Sequence, residues 1–110
     1  MTDDMLTAAG VLHRRGRFLR MPEETHAVWF DNITADGADR ILSAGGLPRT
    51  YTHDVTVEFY EPKPDDEKET AFEAELDRRG LLFTKQDRYW LDDVQRYQVI
   101  YEYSYTTKTK

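Results

Sequence analysis

At 110 residues the chain is the size of one domain and too short to fill two separate cores. A formal charge of −6 argues against nonspecific duplex DNA binding, which draws its affinity from Lys and Arg on phosphates, and the lack of cysteine excludes disulfides, thiol catalysis and cysteine-ligated zinc. Hydrophobic residues at 39% and charged residues at 33% fit a globular, soluble fold with a heavily solvated surface rather than a disordered tail.

Thr2 to Ala9 predicts a short helix, with Asp3 and Asp4 at its positive end, Met5, Leu6 and Ala9 on one stripe, and Gly10 as the stop, so that residues 1–10 form an N-terminal helical unit. Val11 to Phe18 fits neither period well, although Leu12 and Phe18 suit inward positions on a short strand. Within it and just after, Arg14, Arg15, Arg17 and Arg20 form a basic run in an acidic chain. That run reads either as a solvated edge or as a docking patch for an acidic partner. Met21-Pro22-Glu23-Glu24 is a turn, and His26-Ala27-Val28-Trp29-Phe30 is a buried strand bounded by Asp31-Asn32.

Residues 33–49 contain Gly37, Gly45, Gly46 and Pro48 and read as a long, flexible, hairpin-like excursion. Thr50 to Tyr60 carries the clearest signal in the chain. Tyr51, His53, Val55, Val57 and Phe59 share one face, and Thr52, Asp54, Thr56, Glu58 and Tyr60 share the other. After Pro62 and Pro64, residues 65–79 predict an acidic helix whose inner face holds Ala71, Phe72, Leu76 and the stem of Arg79, closed by Gly80. Leu81–Phe83 and Tyr89–Leu91 flank a polar stretch within one strand, and Asp92-Asp93 is the next turn. The last strand runs from about Val94 to Tyr105, with Tyr97, Val99, Tyr101, Tyr103 and Tyr105 on one face, and residues 106–110 read as a mobile tail. The sum is one α+β domain over residues 1–110: a mostly antiparallel sheet of about four to five strands with two helices on one face.

Chemical motifs are sparse. His13, His26 and His53 lack metal-site spacing, and His53 and Asp54 are strand neighbours that point to opposite faces and cannot form a dyad. Asp36-Gly37-Ala38-Asp39 lacks the ligand pattern of a calcium loop, and Gly45-Gly46 lacks the Lys and Ser/Thr of a phosphate loop. Asp65, Asp66, Glu67, Glu69, Glu73 and Glu75 read as a solvated helix face, with a glycosidase-like pair as the remote option. No catalytic, cofactor or metal residue is expected. No apolar run approaches the roughly 20 residues of a membrane span, and Met1-Thr2-Asp3-Asp4 lacks the positive start of a signal peptide, so synthesis in a bacterial cytoplasm is the expectation.

An ordered set of segments lifts the reading further. A short helix closing on Gly10 is followed by Val11–Phe18, the Met21-Pro22-Glu23-Glu24 turn and the Ala27-Val28-Trp29-Phe30 strand. Ala35-Asp36-Gly37 then precedes Val55-Thr56-Val57-Glu58-Phe59-Tyr60, and after the acidic helix comes Tyr97-Gln98-Val99-Ile100-Tyr101-Glu102-Tyr103. Over about residues 5 to 105 this order resembles the tail-terminator and head-tail connector (neck, minor tail) proteins of long-tailed bacteriophages. The excursion is longer than the family pattern. The resemblance implies a virion protein without cofactor or reaction, which forms a homo-oligomeric ring, usually a hexamer, and meets a tail-tube protein and a head-completion protein. No sequence-specific nucleic acid or membrane partner accompanies that role.

Ring formation requires complementary side surfaces rather than a polar pocket. The candidate assembly contacts are Ile33, Asp36, Arg40, Ile41, Leu42, Leu47 and Arg49 on the excursion and Tyr101, Tyr103 and Tyr105 on the final strand. A different class of function also suits the acidity: a small phage-encoded module that occupies a basic site on a host protein and inhibits or regulates it.

Overall fold

The alternation around Val55, Val57 and Phe59 builds the middle strand of a sheet. In a computed structural model, which describes residues 1–35 and 49–109, two helices and six strands follow in the order α1 (Thr2–Ala8), β1 (Leu12–Arg15), β2 (His26–Ala35), β3 (Arg49–Glu61), α2 (Asp66–Arg78), β4 (Phe83–Lys85), β5 (Tyr89–Leu91) and β6 (Arg96–Thr109). The sheet order is β1-β2-β3-β6-β4, with β5 also on β6, and only β1 and β2 run parallel. The α+β class and the mostly antiparallel sheet agree with the sequence reading. The strand count is higher for two reasons. Val11–Phe18 contributes β1, with Val11 buried and Leu12 at the surface, and the stretch expected as one strand pairs with β6 as two pieces, β4 and β5.

Strand ends also differ. Asp31 and Asn32 do not stop β2, because they pair opposite Val55 and Asp54 of β3. Residues 106–109 are not a mobile tail, since they extend β6 alongside the first residues of β3, from Arg49↔Thr109 to Thr52↔Thr106. Residues 36–48, the middle of the expected excursion, lie outside the described residues. The strands that flank them pair antiparallel from Ala35↔Tyr51 downward, as the two arms of a hairpin do.

Both helices lie on one face of the sheet and bury their apolar stripes there. Met5 and Leu6 of α1 and Phe72 and Leu76 of α2 join Trp29, Val57, Phe59, Val99, Tyr101 and Tyr103 in one core. Both helices end alike: Val11 N–H reaches Leu6 O and Leu81 N–H reaches Leu76 O, each at 2.9 Å, across Gly10 and Gly80 at φ of +74° and +70°. That left-handed turn is open to glycine at no steric cost, which is why the two glycines are legible as stops. Arg79 stays exposed instead of lending its stem to the inner face. The helices are tied end to start by Lys68 Nζ, which donates to Gly10 O at 2.6 Å.

Asp65 caps α2. Its Oδ1 accepts from Lys68 N–H at 3.1 Å and its Oδ2 from Thr25 Oγ1 at 2.5 Å. Asp65→Ala is therefore expected to cost about 1 kcal/mol, read as a lowered midpoint in urea with an unchanged slope.

The opposite face is open except at one end, where the chain between β1 and β2 crosses it. Phe18 meets the His26 ring edge-on at 5.4 Å, so His26 and Val28 are buried although they face away from the helices. Among the described residues, no helix is long and apolar enough to cross a membrane.

Candidate functional site

Glu61 ends β3 on the parity of Val55, Val57 and Phe59, and so its carboxyl turns inward, with 0% exposure. Glu69 lies one turn before Phe72 on the inner stripe of α2 and is 2% exposed. Burial removes each carboxyl from water, so each must find partners inside. Glu69 Oε2 accepts from Arg88 at 2.7 Å, and its Oε1 lies 2.9 Å from Lys85 Nζ. Arg88 also binds Asp66 at 2.7 Å, Lys85 also binds Glu73 at 2.7 Å, and Tyr101 O–H donates to Glu73 at 2.6 Å. These bonds fasten the β4–β5 margin onto α2.

Glu61 is less well served. Its Oε1 accepts from Asp65 N–H at 3.1 Å and lies 3.3 Å from Arg88 Nε, while buried Oε2 meets no donor. Burial first, and then its hydrogen bond with Glu69, push the Glu61 carboxyl up to about 8. A proton on Glu61 would remove the cost of burying its charge and let it donate to the Glu69 carboxylate. Glu69 moves the other way: burial opposes its charge, but its bonds from Glu61, Arg88 and Lys85 together hold it below the ordinary carboxylate range. Both directions favour a protonated Glu61 beside a charged Glu69. The expectation of a solvated carboxylate face is corrected for Glu69, which the 3.6-residue period carries inward with Phe72 and Leu76. Three grooves of the described surface are not lined by Glu61 or Glu69.

A second polar cluster sits where β2, β3 and β6 run past the helices. His53 and Asp54 face apart as expected. His53 instead lies with Nδ1 2.8 Å from Asp31 Oδ2 and Nε2 2.9 Å from Thr107 Oγ1, and its ring stacks on Tyr105 at 4.4 Å. A carboxylate, an imidazole and a hydroxyl are in series, the connectivity of a hydrolytic triad. None of the three grooves reaches it, and it clasps three adjacent strands side chain to side chain. Among the described residues, no group of three or more His, Asp or Glu could hold a metal ion.

The expected assembly contacts divide. Tyr101 and Tyr103 are core residues, 0% and 4% exposed, because their strand parity places them under α2 and α1. Tyr101 packs against Phe59, Phe72 and Phe83, and the Tyr103 hydroxyl bonds Thr2 Oγ1. Their rings are therefore largely enclosed by the fold. Tyr105 is half-buried beside His53, and Ile33 is 49% exposed on β2. Arg49 begins β3, whereas Asp36, Arg40, Ile41, Leu42 and Leu47 lie outside the described residues.

No family model matches this chain, and no curated protein matches it either. Its functional surface is therefore read from its own shape. The body of the sheet is five strands wide at the level of the helices, but beyond the Asp31–Val55–Tyr103 row only β2, β3 and β6 continue among the described residues. No helix of the described residues lies over this three-stranded ribbon, and Phe30 at its root and Ile33 within it are exposed on opposite faces. Where it meets the body, an open groove of about 660 Å³ is lined by Val55, Leu81, Leu82, Phe83 and Tyr103 among others.

Proposed function

We propose that this chain is a structural virion protein of a long-tailed phage, which forms a ring at the head-proximal end of the tail, ends growth of the tail tube and joins tail to head. The observation that carries the reading is the three-stranded ribbon, which no helix of the described residues covers. Folded strands with an uncovered face and two free margins suit contact with other protein surfaces along their length, because open margins present unpaired backbone groups and exposed apolar side chains add contact area. An elongated chain of 52 × 29 × 22 Å suits a subunit whose body stands beside its neighbours and whose limb reaches a tube or connector. An acidic exterior also keeps such a ring from holding the DNA that passes it.

The test replaces Phe30 and Ile33 by Asp in the phage that encodes the chain. Both side chains are about half exposed, so the purified variant is expected to melt within a few degrees of the natural protein. Tails of irregular length that fail to join heads are expected in electron micrographs. Tails of normal length carrying heads would refute the reading, and recovery of the chain on a host protein in place of the virion would favour the inhibitory module.

A further inference from the structure

β1 covers the margin of β2 only as far as Trp29, whose carbonyl accepts from Gly16 N–H at 2.9 Å. That bond fixes which backbone groups of β2 face outward, because N–H and C=O change sides with every residue along a strand. Asp31, Ile33 and Ala35 share the parity of Trp29, so theirs turn away from β3, and among the described residues they meet no partner. Asn32, Ile33, Thr34 and Ala35 are all exposed, Ile33 at 49%. These four are uncharged, and none is the Lys or Pro that guards many sheet edges. The other margin of the ribbon has such a guard in Lys108 of β6.

We infer that this margin of β2 pairs with the same margin of a second copy, antiparallel about a two-fold axis at Ile33. In that register Ile33 faces the second copy's Ile33, Asp31 faces its Ala35, and Asn32 faces its Thr34. Each facing pair of outward residues exchanges two backbone bonds, which leaves no group of Asp31, Ile33 or Ala35 unpaired. Apolar meets apolar at the axis, amide meets hydroxyl beside it, and no like charges stand opposite each other. A strand of any sequence would satisfy the backbone; the match of side chains under the two-fold selects this chain itself. Antiparallel pairing also sends the two bodies, with their acidic α2 helices, to opposite ends of the joint ribbon. Chains of charge −6 therefore meet at an uncharged part, and β1 ends short of the paired residues in both. Five residues a side make a small interface, so association is weak and concentration-dependent. The pairing goes beyond the tail reading and does not depend on it.

Because the chain has no cysteine, an engineered pair reports the register. Chains carrying Asn32→Cys and chains carrying Thr34→Cys are mixed and oxidised. The mixed disulfide dimer is expected to exceed either self-dimer by about tenfold, since only the mixed pair stands directly opposite across the axis. Light scattering of the natural protein should show its mass rising from one chain toward two between about 1 μM and about 1 mM. Ile33→Lys sets like charges on the axis, and Ile33→Pro removes the outward N–H without touching the bonds to β3. Both variants should stay monomeric over that range with unchanged circular dichroism. A natural protein that stays monomeric throughout, a statistical mixture of the three disulfide dimers, or folded variants that pair as the natural protein does would each overturn the inference. Headless tails from the Phe30 and Ile33 variant beside a monomeric natural protein would remove the pairing and leave the tail reading. Mixed disulfide dimers beside normal tails would do the reverse.

Discussion

Glu61→Gln is expected to make the protein more stable than the natural sequence at about pH 8 and to leave it nearly unchanged near pH 5, by on the order of 2 kcal/mol at the higher pH. The folded carboxyl titrates at about 8 against an ordinary value of 4.5, so folding takes up a proton throughout that window. Stability from this group is complete below the ordinary value and is lost as pH climbs toward 8, at no more than about 1.4 kcal/mol per pH unit for one proton. Gln cannot ionise. Its carbonyl keeps the bond from Asp65 N–H, and its amide donates to Glu69 as the protonated acid does. Thermal melts across the window should therefore fall for the natural protein and stay flat for the variant, a difference of roughly 10 °C at the alkaline end. Parallel curves for the two proteins would show that the buried pair does not share a proton.

Phe72→Ala should be the most damaging single change in the described core, lowering stability by about 3–5 kcal/mol. Phe72 is fully buried and meets the rings of Phe59 at 5.4 Å and Tyr101 at 5.2 Å, so its loss opens a hole at the centre of the only layer between α2 and the sheet. Those neighbours are pinned in central strands and cannot collapse into the space. The loss also loosens the seat of Glu69, one turn away. Denaturant unfolding would read the change as a large drop in midpoint, and Leu82→Ala, at a side chain 92% exposed, serves as the null comparison. A Phe72→Ala protein within 1 kcal/mol of the natural one would mean that α2 is not packed as described.

The local periods of the sequence determined much of this protein. Alternation through Val55, Val57 and Phe59 fixed the central strand and its inner face, and glycines at 10 and 80 fixed where two helices stop, because these features follow from backbone geometry within a few residues. The same parity carried one place further marks Glu61 as inward, and the helical stripe marks Glu69, so half of the buried pair's setting was legible. Tertiary structure decided the rest. Nothing local says that Lys85 and Arg88 return to those carboxylates, that His53 finds Asp31 instead of Asp54, or that Tyr101 and Tyr103 fill a core rather than a contact surface. Each of these depends on which strands lie side by side and which face the helices cover, and both are set by pairings between residues far apart in the chain.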